Sequence, residues 1–381
     1  MTATAAPLRR GLPHGIAVFS HCYESIQLSW RGLPPGDITL TCAEQVVVQQ
    51  SPSGAGSATI AGLEPNTQYE ITATQGAVTL GHLHAHTAPR PPGELLHKFA
   101  TLSDLHLGRG HFGLTRRMRE SDPDTPHTLR CSLAATRELL DWGAAQLIVK
   151  GDLVDSSREH AWAEAAVWRT AVTVPLTAIC GNHEMAHWST VDPFEEAQKL
   201  GFAFQCGVTT IDTDGLRLIL MDSSVPNIDK GTWKPHLHEV VAALESTEQP
   251  AMLITHHQPN LVRRPRYLPL GIPEAEAREF LRTAARANRN WFGTSGHTHR
   301  HRRYLIEGVT WSEVGSPKDF PGTWAGYSVF ESGVTQMVRR VEDPACIDWL
   351  DYTRRAALGA WALWSPGKLS DRCFFVPSTR R

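Results

Sequence analysis

TLRCSLAATRELLDWGAAQLIVKGD, residues 128–152, sets the fold class. Up to Trp142 it reads as a helix, stopped at Gly143; residues 145–152 then read as a strand ending in Gly-Asp. Three consecutive apolar residues, Leu147, Ile148 and Val149, belong to a strand covered on both faces. The alternation extends both ways. HKFATLSDLH (97–106) precedes it as a strand, and REHAWAEAAVWRTA (158–171) follows as a helix. VPLTAICGNHE, LRLILMDSS, AMLITHHQP and NWFGTSGHTH continue as strands, with HLHEVVAALES and AEAREFLRTAARA as helices between them. The expected class is α/β, a layered β-sheet core flanked by helices.

Residues 13–88 have another texture. SIQLSW, DITLTCA, EQVVVQQ, SATIAGL, QYEITATQ and VTLGHLHAH alternate in polarity between Gly, Pro and Asn turns, as in a small all-β sandwich. Trp30 stands where such a core takes one large aromatic, and GLEPNTQYEI resembles the turn and tyrosine strand of fibronectin type III domains. The expected division is an N-terminal extension (1–12), the sandwich (13–88), a Pro-rich linker (89–94), the α/β domain (95–345) and a Trp-containing extension (346–381).

Composition sets outer limits. With 381 residues, 41% apolar and 20% charged, the chain has the make-up of an ordinary globular protein. A formal net charge of −2 gives no global pull toward nucleic acid or an anionic membrane, and no apolar run is long enough to span one. Seven scattered cysteines without a Cys-x-x-Cys pair, and no signal peptide, point to reduced thiols in a cytoplasmic protein.

Five strand ends carry residues that bind metals: SDLH (Asp104, His106), GD (Asp152), GNHE (Asn182, His183), THHQP (His256, His257) and GHTH (His297, His299). In such sheets ligands bind beyond the carboxyl ends of strands. Oxygen donors mixed with imidazole suit Mn, Fe, Zn, Ni or Co. In Asp104-x-His106 and His297-x-His299, residues two apart on an extended chain share a face and converge. A carboxylate can bridge two cations, which makes Asp152 the natural bridge. His257 should face away from the cluster. His301 is expected at the surface or the substrate rim, and His82, His84 and His86 on a strand face of the small domain. Arg109, His111, Arg116, Arg117 and Arg119 after the first motif, and Arg263, Arg264 and Arg266 after the fourth, are candidate anion contacts. Arg109, His111 and Arg263 lie nearest the ligand strands in sequence.

The ordered set D-x-H, GD, GNHE, H and GHTH resembles the calcineurin-like metallophosphoesterase superfamily over roughly residues 97–340. The resemblance implies two divalent or transition metal ions. Asp104, His106, Asp152 and His299 would hold one, and Asp152, Asn182, His256 and His297 the other. It also implies in-line attack by a metal-bridging hydroxide, with Asp152 and His183 in the catalytic machinery and His183 protonating the leaving oxygen. Purple acid phosphatases, a related branch, carry a tyrosine three residues after the GD aspartate, where this chain has Asp155, so no tyrosinate-iron chromophore is expected. Protein serine/threonine phosphatases continue with Arg-Gly where this chain has Ser156 to Arg158. D-x-H and GHxH resemble phosphodiesterases of the cyclic-nucleotide and glycerophosphodiester type, although Glu184 stands where these usually carry Asp. The leading expectation is hydrolysis of a small phosphodiester. Alternatives are a phosphomonoesterase and a scaffold with a vestigial metal site. A small phosphoester is the expected partner rather than nucleic acid or membrane, with homo-oligomerisation left open.

Overall fold

The computed structural model describes residues 15–113, 118–119, 125–263 and 268–378; the expected N-terminal extension lies outside the described residues. Seven strands come first: β1 (Gly15–His21), β2 (Ser25–Arg31), β3 (Gly36–Cys42), β4 (Gln45–Ser51), β5 (Gly56–Ala61), β6 (Gln68–Gln75) and β7 (Val78–His86). They form two antiparallel sheets, ordered β1-β2-β5 and β4-β3-β6-β7. Ile26, Leu28 and Trp30 of β2 pack on Ile38, Leu40, Ile71 and Ala73 of the opposing sheet. The Trp30 indole N–H donates to Ser51 Oγ at 2.9 Å, which satisfies its one buried polar atom. The Tyr69 hydroxyl accepts from the Glu64 N–H at 2.8 Å and pins the turn before β6.

The larger region opens with β8 (Leu95–Leu102), the short pair β9 (His111–Phe112) and β10 (Met118–Arg119), and α1 (His127–Asp141). Next come β11 (Leu147–Lys150), α2 (Glu159–Arg169), β12 (Leu176–Ile179), α3 (Pro193–Lys199) and β13 (Ala203–Gln205). These are followed by β14 (Val208–Thr213), β15 (Leu216–Met221), α4 (Leu237–Glu245), β16 (Ala251–Thr255), α5 (Glu274–Ala287) and β17 (Trp291–Ser295). β18 (Arg302–Ile306), β19 (Val309–Glu313), β20 (Thr323–Phe330) and β21 (Gly333–Arg340) complete the strands that precede the C-terminal extension. That extension contains α6 (Pro344–Thr353), α7 (Trp361–Trp364), α8 (Leu369–Arg372) and β22 (Phe374–Pro377).

Two mixed sheets result, ordered β13-β12-β11-β8-β20-β21-β22 and β14-β15-β16-β17-β19-β18. Alternation along each strand assigns its two faces. Ile148 of β11 faces the other sheet and joins Phe99, Leu218, Leu220, Met252, Ile254 and Tyr327 in the layer between them. Leu147 and Val149 face outward, onto Ala134 and Leu139 of α1 and Trp162 and Trp168 of α2. On the far side, Leu253 of β16 packs under Leu244 of α4 and Phe280 of α5. Helices therefore cover both outer faces of a sheet pair. The C-terminal extension is part of this framework, because β22 pairs antiparallel with β21 from Gly333 to Gln336.

β2 is buried on both faces. Its second face, Ser25, Gln27 and Ser29, binds the end of β21. The Gln27 side chain donates to Arg340 O (2.9 Å) and accepts from the Arg340 N–H (2.8 Å). Arg340 is itself buried. Its guanidinium donates to Ser29 Oγ (2.5 Å), Pro321 O (2.9 Å) and Gly56 O (3.4 Å). Burial lowers its pKa to about 10, with Asp351 pulling weakly the other way. A buried cation held mainly by neutral oxygens fastens the N-terminal sheets to the larger region.

Arg340→Ala leaves those oxygens unpaired beside a cavity and should cost about 3 kcal/mol of stability. Urea denaturation measures this, and an unshifted midpoint would show that the guanidinium does not join the two regions.

Candidate metal centre

β8, β11 and β12 of one sheet and β16 and β17 of the other all end at the same edge of the molecule. Asp104 and His106 follow β8, Asp152 follows β11, Asn182 and His183 follow β12, His256 follows β16, and His297 and His299 follow β17. The i, i+2 pairs do not lie on extended chain, contrary to the expectation from their spacing. Asp104, His106, Asp152, His297 and His299 all have left-handed backbone, with φ of 57°, 46°, 51°, 65° and 51°. Side chains two apart converge because each sits on a tight turn just past its strand. A non-glycine residue in this region is strained by about 1–2 kcal/mol. Hydrogen bonds between turns hold the strain, the Asp104 N–H donating to Gly151 O (3.1 Å) and the His106 N–H to Asp152 O (2.9 Å). The motif glycines have a steric reason: a Cβ at Gly181 would meet the Asp152 carboxylate, and one at Gly296 the Ser103 hydroxyl.

The donor atoms fall into two sets that share Asp152. In the first, His106 Nε2 lies 3.3 Å from His299 Nε2, 3.5 Å from Asp152 Oδ2 and 4.0 Å from Asp104 Oδ1. His299 Nε2 is 3.4 Å from Asp104 Oδ1. In the second, His256 Nε2 lies 3.2 Å from Asn182 Oδ1, 3.2 Å from His297 Nδ1 and 3.4 Å from Asp152 Oδ2. Donors about 2.0–2.2 Å from a common first-row metal stand about 3.3–3.6 Å apart; most of the separations above lie near that range, with Asp104 to His106 the widest at 4.0 Å. Asp104 Oδ1 is buried without a hydrogen-bond partner. The chemistry and spacing of the donors fit divalent cations.

Outer contacts fix which ring nitrogens face inward. His256 Nδ1 lies 2.8 Å from Lys150 O, a pure acceptor, so that nitrogen carries the proton and Nε2 faces the cluster. His299 Nδ1 lies 2.6 Å from Asp319 Oδ2, whose carboxylate also receives Lys318 Nζ at 3.0 Å. A carboxylate behind an imidazole orients it and raises its basicity. Sequence reasoning missed Asp319. It lies twenty residues beyond its histidine, and only the paired sheets bring them together.

The cluster attracts positive charge. Burial alone would lower the pKa of His256, but Asp152 and then Asp104 raise it to about 9. Burial would raise the Asp152 carboxyl, yet His256, His183 and His106 hold it well below the usual range. His297, buried and facing His256, is lowered to about 3. Burial and the neighbouring His183 likewise push His106 down.

His183 sits at the rim, 22% exposed, with Nε2 3.9 Å from Asp152 Oδ2. Its Nδ1 donates to Asp155 O at 2.6 Å and lies 3.1 Å from Asp155 Oδ1. Burial opposes its protonation, but Asp152 and Asp155 raise its pKa to about 9. Asp155 also takes Arg109 Nη1 at 3.1 Å, which places Arg109 beside the cluster. His111 lies on β9, partly buried, and Arg263 is exposed on the loop after β16. Arg116, Arg117, Arg264 and Arg266 lie outside the described residues.

Two histidines need separate comment. His301 is buried rather than at the surface or the rim. Its ring binds the Gly315 N–H (3.3 Å) and the Thr323 hydroxyl (3.1 Å), because β18 and the chain near Ser365 close over it. His257 has both nitrogens engaged, Nδ1 by Ser223 Oγ (2.8 Å) and Nε2 by Asp229 O (3.0 Å). Glu184, the departure in the third motif, is buried behind the donors. Its carboxylate accepts from the backbone N–H groups of Asp152 (3.1 Å), Gly181 (2.8 Å) and Val154 (2.9 Å), locking two ligand turns together.

A family model described as calcineurin-like phosphoesterase matches residues 97–301. Among solved structures, the chain is similar to a purple acid phosphatase from yellow lupin (Lupinus luteus) seeds, with 14% identity and a TM-score of 0.47 over 87% of this chain and 73% of that one. It is also similar to PhoD, with 11% identity and a TM-score of 0.45 over 90% and 89% of the two chains. A third is the phosphopantetheinyl hydrolase of Mycobacterium tuberculosis, with 16% identity and a TM-score of 0.35 over 59% and 91%. No curated protein sequence matches the chain.

Glu184→Ala frees three backbone donors in the buried turns and should destabilise the protein by about 2–4 kcal/mol. The denaturation midpoint checks this; a change below about 0.5 kcal/mol, the range of ordinary surface substitutions, would contradict the locking role.

Proposed function

The chain belongs to the calcineurin-like phosphoesterase family, and from that premise we propose that it is a binuclear metal-dependent phosphodiesterase acting on a cyclic nucleotide or another small diester. One observation carries the reading: two groups of donors that meet at the Asp152 carboxylate, with neighbouring donor atoms 3.2–3.5 Å apart. Asp104, His106, Asp152 and His299 would hold one divalent cation, and Asp152, Asn182, His256 and His297 the other. When bound, the pair supplies Lewis acidity toward the phosphoryl oxygens and lowers the pKa of a water.

The chain's own groups do the rest. Asp152 spaces the two pockets, and its Oδ1 accepts the His183 N–H at 3.0 Å, so the acid and the bridge move together. His183 delivers a proton from Nε2 to the leaving oxygen, while Asp155 holds the opposite nitrogen and keeps the ring charged. Arg109 and Lys318 are each already paired with a carboxylate. Neither therefore offers an unpaired positive charge to a second phosphate charge, which supports a monoanionic diester over a dianionic monoester. Asp319 orients His299, and Glu184 holds the turns that carry Asp152 and Asn182. We assign the seven-stranded N-terminal region as a fibronectin type III-like module, supported by its three-plus-four strand order and the Tyr69 bond. A cytoplasmic location is supported by seven free cysteines.

Purified protein should contain about two transition metals per chain by elemental analysis and lose activity to a chelator. It should hydrolyse bis(4-nitrophenyl) phosphate or 3′,5′-cyclic AMP in preference to 4-nitrophenyl phosphate; a strong monoester preference would overturn the diesterase assignment. His183→Ala should keep its metals and lose about 10²–10⁴ in rate. Asp152→Asn should lose both metals and activity. Wild-type rates in both variants would overturn the roles assigned to Asp152 and His183, and a protein that takes up no metal would leave the scaffold alternative standing.

A further inference from the structure

Beside His183 the surface opens into a cleft of about 610 Å³. Asn182 and His183 form its inner end. Trp188, Ile228 and Leu270 line it further out, with Asn227, Asp229 and Lys230 among its polar groups. Trp188 is 40% exposed and Ile228 44%. Single exposed apolar residues are ordinary on a surface, but these two line one concavity that opens from the acid of the site.

The walls are fixed before anything binds. Arg158 Nε donates to Trp188 O at 3.0 Å, and the indole lies edge-on to the His187 ring at 4.4 Å. The loop carrying Ile228 is tied to the opposite wall by the Asn227 N–H, which donates to Met185 O at 2.9 Å. It is tied from beneath by His257, whose Nε2 donates to Asp229 O at 3.0 Å. His256 and His257 thus divide their work: one presents its ring to the metal pockets, and its neighbour holds the wall of the cleft.

We propose that this cleft is the subsite for the leaving alcohol, and that it selects alcohols bearing a planar heteroaromatic ring, as in a nucleoside. The proposal rests on the diesterase reading and adds its substrate class. The leaving oxygen must come within reach of His183 Nε2, so the group attached to it extends into the cleft that His183 lines. An exposed indole offers a flat apolar face for stacking. Asn227 and Asp229 offer the hydrogen-bonding groups that a heterocycle's polar edge needs. In the step itself, water oxygen forms the new bond to phosphorus and the ester P–O bond to the alcohol breaks. The His183 proton passes to the departing oxygen, and the proton lost by water restores the imidazolium.

The test is an internal competition on metal-loaded, full-length protein. Adenosine 5′-methyl phosphate can expel either adenosine or methanol, and chromatography reads the product ratio independently of the amount of active enzyme. Wild type should expel mainly adenosine. Trp188→Ala, altered at an exposed position, should shift the ratio about tenfold toward methanol, the order expected for one lost base–aromatic stack. Ile228→Ala should shift it in the same direction. Predominant methanol release by wild type, or a ratio unchanged in Trp188→Ala while bis(4-nitrophenyl) phosphate is still hydrolysed, overturns the subsite proposal alone. If neither diester is hydrolysed, the diesterase reading fails and the subsite falls with it.

Discussion

Asp104 and Asp152, four imidazoles and one amide oxygen crowd their donor atoms to separations of 3.2–4.0 Å in a buried space. Left without positive charge, such an arrangement is repulsive, because lone pairs face one another where little water screens them. The chain answers in part by protonation, with His256 raised to about 9 between Asp152 and Asp104. The two shared cations proposed above would answer it in full. Much of the architecture serves to hold these donors together against that repulsion. Two sheets deliver five strand ends to one edge, and the apolar layer between the sheets keeps those ends in register.

The same constraint explains features that look like local irregularities. Five donor residues take left-handed backbone, and the strain persists because hydrogen bonds between turns and the Glu184 carboxylate over-determine each turn. Glycine stands beside the donors because a side chain there would strike a neighbouring ligand turn. Asp319 with Lys318 behind His299, and a backbone carbonyl behind His256, give the two pockets different support. A histidine backed by a carboxylate is the stronger ligand. In the proposed binuclear site, the first pocket would therefore hold its cation more tightly than the second.

The alternation of strand and helix, and the positions of Asp104, His106, Asp152, Asn182, His183, His256, His297 and His299 at strand ends, were legible in the sequence. Periodicity and residue type are local properties. The left-handed turns were not legible, since Asp and His occupy both backbone regions and the spacing fits either. Asp319, Glu184 and the paired nitrogens of His257 were hidden for another reason: their roles depend on partners brought near by tertiary packing. His301 misled because a third histidine in an alternating run looks like a third exposed or ligating one. Its burial follows from the chain near Ser365, whose carbonyl accepts the His301 N–H at 2.9 Å. β18 to β22 also escaped notice; β18, β19 and β21 mix charged and apolar residues, which weakens their periodicity. β2 shows the converse case, in which Ser25, Gln27 and Ser29 alternate as a solvent face would but are buried against Arg339 and Arg340.

The claim that two cations share Asp152 has a direct measurement in anomalous X-ray diffraction from crystals grown with manganese or zinc, recorded on both sides of the metal absorption edge. The account predicts two anomalous peaks about 3.5–4 Å apart. One should lie among Asp104, His106 and His299, the other among Asn182, His256 and His297, with the Asp152 carboxylate between them. A single peak, or peaks lying away from that carboxylate, would contradict it.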